Sequence, residues 1–299
     1  MNQSQLLKLG KEKLKQENIE EAENKAKRLL EFVLQQSREE MIRNLLEEVS
    51  EMQHKAYEEK LQEVIQEKPL QYITHSQEFM GLSFYVDENV LIPQPDTEIL
   101  VEQALAKIQS ITDREIQILD LCTGSGAIAI SIAKQLQNTS QYMIEEYQII
   151  AADISEKALK IAQKNAMQNQ VQIQFLQSDM FFNLKEMEFD MIVSNPPYIE
   201  TKVIDTLSKE VKQEPRIALD GGEDGLVFYK AILENAKQYL KKGGYVLIEI
   251  GYDQGKKIIE LWKELKEGCQ LELITKEPIK DLGNNDRVMI FQKVAKEGE

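Results

Sequence analysis

Long apolar runs, cysteine and histidine are scarce in this chain of 299 residues, and each shortage excludes a class of protein. No apolar stretch approaches the roughly 18 residues that a membrane-spanning helix needs, so we expect no membrane partner. Two cysteines, Cys122 and Cys269, cannot form a disulfide framework, and each is expected to be a small buried apolar side chain. With His54 and His75 as the only histidines, no Cys/His cluster indicates zinc, and we predict no metal site.

Positive charge is also in short supply, since the net charge of the chain is −15. Residues 1–80 hold 12 Lys and Arg against 16 Asp and Glu, and the remainder holds 24 against 35. Proteins that bind nucleic acid usually carry a basic surface, so this balance disfavours a nucleic-acid partner. The first 15 residues are polar and charged, unlike a signal peptide, which makes the cytoplasm the expected location.

Proline is missing from residues 4–68, and Gly10 is the only glycine there. Leucine and other apolar residues recur in this region at helical spacing, which predicts a small bundle of about four helices. Apolar residues between Phe79 and Ile92 then predict a short hairpin or extended linker that closes at Pro93 and Pro95. We therefore expect a helical domain at 1–75, a hairpin linker at 76–95 and a larger domain at 96–299.

The larger domain alternates between strand and helix patterns. Strands are predicted at 116–121, 147–152, 171–176, 189–194 and 245–250, and helices at 97–108, 127–137, 156–168 and 225–240. Such alternation is typical of an α/β fold with a doubly wound, mostly parallel sheet. Two runs at 271–275 and 287–293 lack a predicted helix between them and indicate an antiparallel edge hairpin, which makes seven strands. The polar segment 138–146 is interpreted as a surface insertion.

The tetrapeptide Asn195-Pro196-Pro197-Tyr198 follows an apolar strand pattern and is the most informative motif. Proline fixes φ, lacks an N–H group and keeps the preceding residue extended, so a stiff loop with exposed acceptors is expected at the strand end. This loop could accept two hydrogen bonds from a planar –NH2 group and pack Tyr198 against its face. Taken alone, the tetrapeptide would more often be an ordinary Asn-Pro turn.

A second set of residues follows the earlier strands and indicates a nucleoside ligand. Glycines let a backbone approach a ligand, and the helix that follows them offers free N–H groups. Asp153 could accept both hydroxyls of a ribose, although it could also cap the next helix. The candidate cofactor-binding residues all follow predicted strands: Cys122, Thr123, Gly124, Ser125, Gly126, Asp153, Asp179, Met180 and Asn195. The glycine run also fits a loose dinucleotide pattern, which keeps NAD open at this point.

The two sets together favour S-adenosylmethionine over NAD as the cofactor. An adenosine-bearing cofactor and a planar nitrogen acceptor suit methyl transfer, which depends mostly on positioning. Hydride transfer to or from NAD would need a partner residue, and the sequence offers no candidate. Asn195, Pro196, Pro197 and Tyr198 are therefore the predicted catalytic residues.

At these residues the chain resembles the class I S-adenosylmethionine-dependent methyltransferases, and more closely the HemK/PrmC family. The resemblance extends over most of the chain after about residue 65. Its matching blocks are 69–73, 79–84, 90–98, 120–126, 195–198, 214–216 and 220–226. The blocks around Pro69 and Pro93 are specific to this family, whereas many methyltransferases share the glycine loop and the Asn-Pro-Pro-Tyr loop.

The resemblance implies a Rossmann-like, protein-(glutamine-N5) methyltransferase of peptide chain release factors. It implies that a helical N-terminal domain helps to recognise the factor and that the glutamine of its Gly-Gly-Gln motif enters the pocket. The Asn195 side chain and the Pro196 carbonyl would then bind the glutamine –NH2 group. We expect the protein to act as a monomer.

Two departures from the family pattern are visible. Cys122 stands where the family usually has the first glycine of the loop, and Gln94 stands where it usually has arginine. Binding of the cofactor is expected to survive the first change, because Gly124 and Gly126 remain. The second change removes a positive charge.

Three other functions compete with glutamine methylation. A nucleic-acid methyltransferase could use the same loop for an exocyclic amine on a flipped base, but the acidic balance disfavours it. An NAD-dependent oxidoreductase lacks a candidate hydride-transfer partner. A non-catalytic interaction protein with an inactive pocket is disfavoured by the intact Asn195 loop and the intact glycines.

Overall fold

The computed structural model describes residues 1–111, 115–138 and 146–294. The chain forms two compact units, one of residues 1–76 with 208–213 and the other of 77–207 with 214–299. The predicted surface insertion falls almost wholly on 139–145, outside the described residues. Within the described ranges, no helix combines the length and the apolar character that crossing a bilayer requires.

The first unit is helical, as the sequence predicts. Its helices are α1 (Gln3–Gln16), α2 (Ala22–Leu34), α3 (Arg38–Arg43), α4 (Glu51–Ile65) and α5 (Leu70–Thr74). Helices α1, α3 and α4 each begin with a capping box, in which the N-cap side chain and the residue three positions later bond each other's backbone N–H. These caps fix where the helices begin.

The core of this unit explains its single glycine. Leu6, Leu14, Leu29 and other apolar side chains pack around Tyr57, whose hydroxyl donates to the Ala26 carbonyl at 2.9 Å. A Cβ at Gly10 would lie 2.0 Å from the Tyr57 hydroxyl oxygen. A glycine in the middle of α1 is therefore required by this close approach, in spite of its low helix propensity.

The second unit begins with a hairpin and continues as alternating helices and strands. The hairpin is β1 (Gln77–Phe79) with β2 (Leu82–Phe84), and they pair antiparallel. The remaining elements, in chain order, are α6 (Glu98–Ile108), β3 (Glu115–Leu121), α7 (Ala127–Asn138), β4 (Glu146–Asp153), α8 (Glu156–Asn169), β5 (Gln174–Gln177), β6 (Phe189–Ser194), α9 (Thr201–Ile204), α10 (Arg216–Leu219), α11 (Val227–Asn235), β7 (Leu240–Glu249), α12 (Gly255–Cys269), β8 (Leu271–Leu273), β9 (Ile279–Lys280) and β10 (Asp286–Lys293).

The described strands of this unit other than the hairpin form one sheet, in the order β5-β4-β3-β6-β7-β10-β8. The first five are parallel, and β10 and β8 add antiparallel at one edge. The predicted doubly wound, mostly parallel α/β fold is confirmed, and so is the edge pairing of the last two runs. The two-residue strand β9 also pairs with β10 and was not predicted.

Both faces of the sheet are buried by helices. Residues of α6 and α7 share one core with Ile118, whereas residues of α11 and α12 share the other with Leu119. Successive residues of β3 thus point to opposite faces, as the period of two in a strand requires. This arrangement leaves the carboxyl ends of the parallel strands, rather than their faces, available for a ligand.

Several elements differ from the prediction, and the short helices α9 and α10 were not predicted. Strand β5 begins at Gln174 instead of 171, because the Val171 N–H still bonds the Ala166 carbonyl to close α8. Helix α11 ends at Asn235, and β7 already begins at Leu240, which the prediction assigned to the helix. Helix α12 was not predicted at all.

Candidate active site

A cavity opens at the carboxyl ends of the parallel strands in the second unit. The predicted residues Cys122, Gly124, Asp153, Asp179, Met180, Asn195 and Pro197 all line it. Much of the remaining wall is apolar and comes from Val90, Leu91, Ile154, Ala158, Ile217 and Phe228. The candidate residues from four strand ends therefore do converge, and a flat apolar ligand could pack beside them.

Thr123, Ser125 and Gly126 are not among the cavity-lining residues. The Thr123 hydroxyl donates to Asp120 Oδ2 at 2.6 Å, and the Ala129 N–H donates to the same oxygen at 3.1 Å. The Asp120 carboxyl thereby holds the loop closed and lies at the first turn of α7, where a negative charge is favourable. Burial nevertheless raises the pKa of Asp120 to about 7.

Cys122 adopts the left-handed conformation that glycine has at low cost, with φ of +64°. Its Sγ lies 3.9 Å from the Sδ of Met180, which also has positive φ, at +46°. Burial, followed by the nearby carboxyls of Asp153 and Asp120, raises the pKa of the Cys122 thiol. A protonated thiol facing a thioether is a packing contact, but Cys122 is only half-buried and lines the cavity, so the prediction of a buried side chain is wrong at this position. Cys269 is buried and free, as expected.

Asp153 is held by the backbone on both carboxylate oxygens. Oδ2 accepts from the Gly124 N–H at 2.8 Å, and Oδ1 accepts from the Ser155 N–H at 2.9 Å. Helix α8 is capped by Ser155, whose hydroxyl accepts from the Ala158 N–H, so the alternative of Asp153 as the cap is wrong. Each carboxylate oxygen has a second lone pair, which leaves Asp153 two acceptor positions for a diol.

Asn195 lines the cavity. Its Nδ2 donates to the Thr97 hydroxyl oxygen at 3.2 Å. Thr97 and Asn195 also lie next to the carboxyl of Glu249, which is 2% exposed. With the –NH2 group engaged there, Oδ1 is the atom of Asn195 left to accept hydrogen bonds in the cavity.

The Asn-Pro-Pro-Tyr loop is supported from behind by residues 220–226. The Gly221 N–H donates to the Ile199 carbonyl at 2.8 Å, and the Thr201 N–H donates to the Gly222 carbonyl at 2.9 Å. The Gln254 amide donates to the Tyr198 carbonyl at 2.9 Å. The first two bonds hold the loop against the block 220–226.

Tyr198 itself is not among the cavity-lining residues. It packs against the core of the α11–α12 face, and Arg287 lies close to its hydroxyl. Arg287 is 8% exposed and forms ion pairs with Asp96 and Asp281, each at 2.9 Å. Burial raises the pKa of Tyr198, with the Glu249 carboxyl as the next cause.

The block around Pro93 lies along the cavity and is joined to another matching block. Glu214 is buried, and its Oε2 accepts from the Ile92 N–H at 2.9 Å. Gln94, which departs from the family pattern, turns back so that its Nε2 donates to the Ile92 carbonyl at 3.0 Å. No cluster of His, Cys, Asp or Glu suited to a metal occurs among the residues the structure describes.

Sequence reasoning missed Glu249, Arg287 and Gln254. Glu249 had a usable signal, since an acidic residue in an otherwise apolar strand needs a partner. The Gln254 side chain joins three separate segments, through Tyr198, Gly225 and Tyr229, and a single sequence carries no sign of that. Arg287 likewise finds its carboxylates only through the fold.

Comparisons with known proteins agree with this architecture. The family model described as "Methyltransferase small domain" matches residues 95–270, and "PrmC N-terminal domain" matches residues 5–74. Crystal structures of a methyltransferase from Pyrococcus furiosus and of a class I S-adenosylmethionine-dependent methyltransferase from Listeria monocytogenes have TM-scores of 0.50 and 0.51. The Pyrococcus structure matches 72% of this chain and 90% of its own, at 20% identity. The Listeria structure matches 99% of this chain and 88% of its own, at 14% identity. These similarities show that the fold is shared.

Curated relatives named release factor glutamine methyltransferase are closer in sequence. One from Thermodesulfovibrio yellowstonii is 44% identical over 77% of this chain and 78% of its own. One from Clostridium acetobutylicum is 37% identical over 93% of each chain. A third, from Fusobacterium nucleatum, is 43% identical over 77% of this chain but only 61% of its own. On this evidence the chain belongs to the HemK/PrmC family of release factor glutamine methyltransferases.

Proposed function

We propose that this protein methylates the side-chain amide nitrogen of the glutamine in the Gly-Gly-Gln motif of peptide chain release factors. The observation that carries this proposal is the orientation of Asn195, whose carbonyl oxygen is left to the cavity while its –NH2 group bonds Thr97. An acceptor at that position suits a ligand that donates N–H, as a glutamine amide does. Family membership supports the same substrate.

The cofactor is S-adenosylmethionine, and the residues of the cavity fit it. When bound, it supplies an electrophilic methyl group on a sulfonium. Asp153 would hold the ribose hydroxyls, because each of its oxygens has an acceptor position beyond its backbone bond. The apolar side chains of Ile154, Ala158 and Met180 would cover the adenine, and Cys122 and Gly124 would border the cofactor on the other side.

The chain's own contribution to the reaction is to hold the amide nitrogen in place. An amide lone pair is delocalised, so the nitrogen becomes reactive only as its geometry and its protons are controlled. Asn195 Oδ1 and the Pro196 carbonyl would accept the two N–H groups, with Pro196, Pro197 and Tyr198 keeping that loop stiff. Positioning of this kind supplies a large part of the barrier reduction in a group-transfer reaction.

The helical unit is proposed to help recognise the release factor. A family model for this N-terminal domain matches residues 5–74, and residues 1–80 carry a net charge of −4. Methyl transfer is assigned to the second unit, which begins with the hairpin at 77–84. The protein works as a monomer in the cytoplasm, where release factors act.

Methyl transfer from labelled S-adenosylmethionine to parallel acceptors tests the proposal. The acceptors are a release factor, the same factor with the Gly-Gly-Gln glutamine changed to Ala, and mixed DNA and RNA. We expect label on the unchanged factor alone. Label on nucleic acid would move the substrate to exocyclic amines, and label on the changed factor would place the acceptor elsewhere on the protein. Label on none of them, with cofactor binding intact, would contradict the proposed activity.

A further inference from the structure

Glu249 is a buried acid that is not among the residues lining the cavity. It is the last residue of β7, is 2% exposed, and its Oε2 has no hydrogen-bond partner in the described structure. The polar side chains of Thr97 and Asn195 lie next to its carboxyl. An acid at this depth is costly unless it is paired, so its place behind Asn195 calls for an explanation.

The direction of the hydrogen bonds supplies one. An ionised carboxylate only accepts, so we expect the neighbouring Thr97 hydroxyl to turn its single proton toward Glu249. The Thr97 oxygen can then only accept from Asn195, which fixes Nδ2 toward Thr97 at 3.2 Å. A flipped Asn195 would bring its carbonyl against both a carboxylate and a hydroxyl oxygen that has no proton left to donate.

We propose that Glu249 and Thr97 are positioning residues that set the orientation of the Asn195 carboxamide, so that Oδ1 and not –NH2 meets the substrate amide. This inference rests on the proposed function. We call the series Glu249, Thr97 and Asn195 the relay. Without it, Asn195 could present –NH2 to the –NH2 of glutamine, and the two donors would repel. Glu249 and Thr97 therefore act through Asn195 and do not touch the substrate.

Protonation of Glu249 would release this constraint, because a neutral carboxyl can donate to Thr97 and free its hydroxyl proton for Asn195 Oδ1. Burial raises the pKa of Glu249 to about 7. The charged and titratable groups that face it are Arg287 from β10, Asp96 from the turn before α6, Tyr198 from the loop and Tyr229 from α11. Arg287 favours the ionised form, so the relay is complete above about pH 7.

Kinetics of three variants test the relay. Thr97→Val removes the hydroxyl at nearly constant volume, Thr97→Ser keeps it, and Glu249→Gln removes the charge at constant shape. We expect kcat for methyl transfer to fall at least tenfold in Thr97→Val and Glu249→Gln, with the Kd for S-adenosylmethionine within twofold. Thr97→Ser should stay within threefold of wild type. The rise of kcat through pH 7 should disappear in Glu249→Gln. Unchanged kcat in both damaging variants, or an equal loss in Thr97→Ser, would overturn the proposal.

A second readout needs neither cofactor nor substrate. In ¹⁵N NMR spectra the Asn195 side-chain amide is assigned by its loss in Asn195→Ala, and its proton exchange is measured. We expect slow exchange in wild type and in Thr97→Ser, and at least tenfold faster exchange in Thr97→Val and Glu249→Gln. Equal exchange in all four proteins would contradict the relay even if a variant were too unstable for kinetics. Failure of the wild type to label a release factor would instead contradict the proposed function, whatever the exchange rates.

Discussion

Gly221 lies directly behind Tyr198, so close that a Cβ on Gly221 would come within 2.6 Å of the Tyr198 Cα. The neighbours of that Cβ would be backbone atoms of the loop, including the Pro197 carbonyl oxygen at 3.0 Å. Backbone cannot swing aside as a flexible side chain can. The position of the Asn-Pro-Pro-Tyr loop is therefore set by the missing side chain at 221.

Gly221→Ala should displace the loop and lower methyl transfer. A shift of about 1 Å in a reacting group can cost about 100-fold in rate, and we expect a loss of that order in kcat. Cofactor binding should change much less, because Asp153 and the glycine loop lie on other strands. Steady-state kinetics together with calorimetric titration of the cofactor separate the two effects.

Gly268→Ala is the matched control for that substitution. Apart from its chain neighbours and its own helix backbone, no atom of the described residues lies within 4 Å of a Cβ at Gly268, which is in the last turn of α12. Alanine in place of a helical glycine stabilises by about 0.5–1 kcal/mol, so the melting temperature should rise slightly while kcat stays unchanged. An equal loss of activity in both variants would refute the argument from the close approach at Gly221.

Asn195→Ala should remove the acceptor at the centre of the proposed reaction. Loss of a preorganised hydrogen-bonding group costs about 10²–10³ in kcat in other enzymes, and we expect at least that here. The fold should survive, since Asn195 is only partly buried at the cavity edge. Circular dichroism and label transfer from S-adenosylmethionine measure both, and near-wild-type turnover would rule out the amide-holding role.

Asp153→Ala should act mainly on the cofactor. Two hydrogen bonds from ribose hydroxyls to a carboxylate are each worth about 1.5–3 kcal/mol, so the Kd should rise by about 100-fold or more. Asp153→Asn keeps one acceptor oxygen and should fall between wild type and Asp153→Ala. Equilibrium dialysis with labelled cofactor gives the order, and equal Kd values for all three proteins would exclude Asp153 from the cofactor site.

Substitutions at Cys122 test the cost of its positive φ. Cys122→Gly removes the free-energy cost of a left-handed backbone at a non-glycine residue, about 1–2 kcal/mol. It also increases the entropy of the unfolded state and loses the contact with Met180. These effects oppose each other, so the unfolding free energy should change by less than about 1 kcal/mol. Cys122→Val places a β-branched side chain at φ +64° and should lower the unfolding free energy by at least about 2 kcal/mol. Urea denaturation of the pair gives the comparison, and a valine variant as stable as the glycine variant would contradict the assigned backbone strain.

The raised pKa of Asp120 makes stability depend on pH with a defined sign. Its pKa is about 7 in the folded protein against a usual value of 3.8, because burial disfavours the charge. The folded state therefore keeps a proton that the unfolded state has lost between about pH 4 and pH 7, and stability falls over that window. Asp120→Asn cannot titrate, so its unfolding free energy relative to wild type should increase by a few kcal/mol, at most about 4, as pH rises from 4 to 7. Denaturant titrations at several pH values test this, and a constant difference between the two proteins would show that Asp120 is ionised throughout.

The features that could be predicted from the sequence depend on local residue patterns and on one general rule, that ligands bind at the carboxyl ends of parallel strands. Alternating periodicity located the strands, and the convergence of strand ends brought Gly124, Asp153, Met180 and Asn195 to one cavity. Helix α12 was missed although Ile258, Ile259, Trp262 and Leu265 recur at helical spacing.

The contacts behind the loop could not be predicted in the same way. Glu249 pairs with Val288 across the sheet, so the antiparallel register of β10 is what brings Arg287 beside it. That register follows from the packing of the whole edge and not from any residue near Asn195. The support of a site by distant strands is therefore invisible to a reading of periodicity and motifs.

Asn165 connects the segment after the hairpin to the glycine loop through hydrogen bonds. Its buried carboxamide accepts from the Tyr85 N–H at 2.7 Å and donates to the carbonyls of Tyr85 and Ser125 at 3.0 and 2.9 Å. One side chain thus joins the end of the hairpin, helix α8 and the glycine loop. A fragment cut at residue 95, where the methyltransferase match begins, would leave two of these bonds without partners. A catalytic fragment that keeps these bonds must therefore include Tyr85, which follows the hairpin.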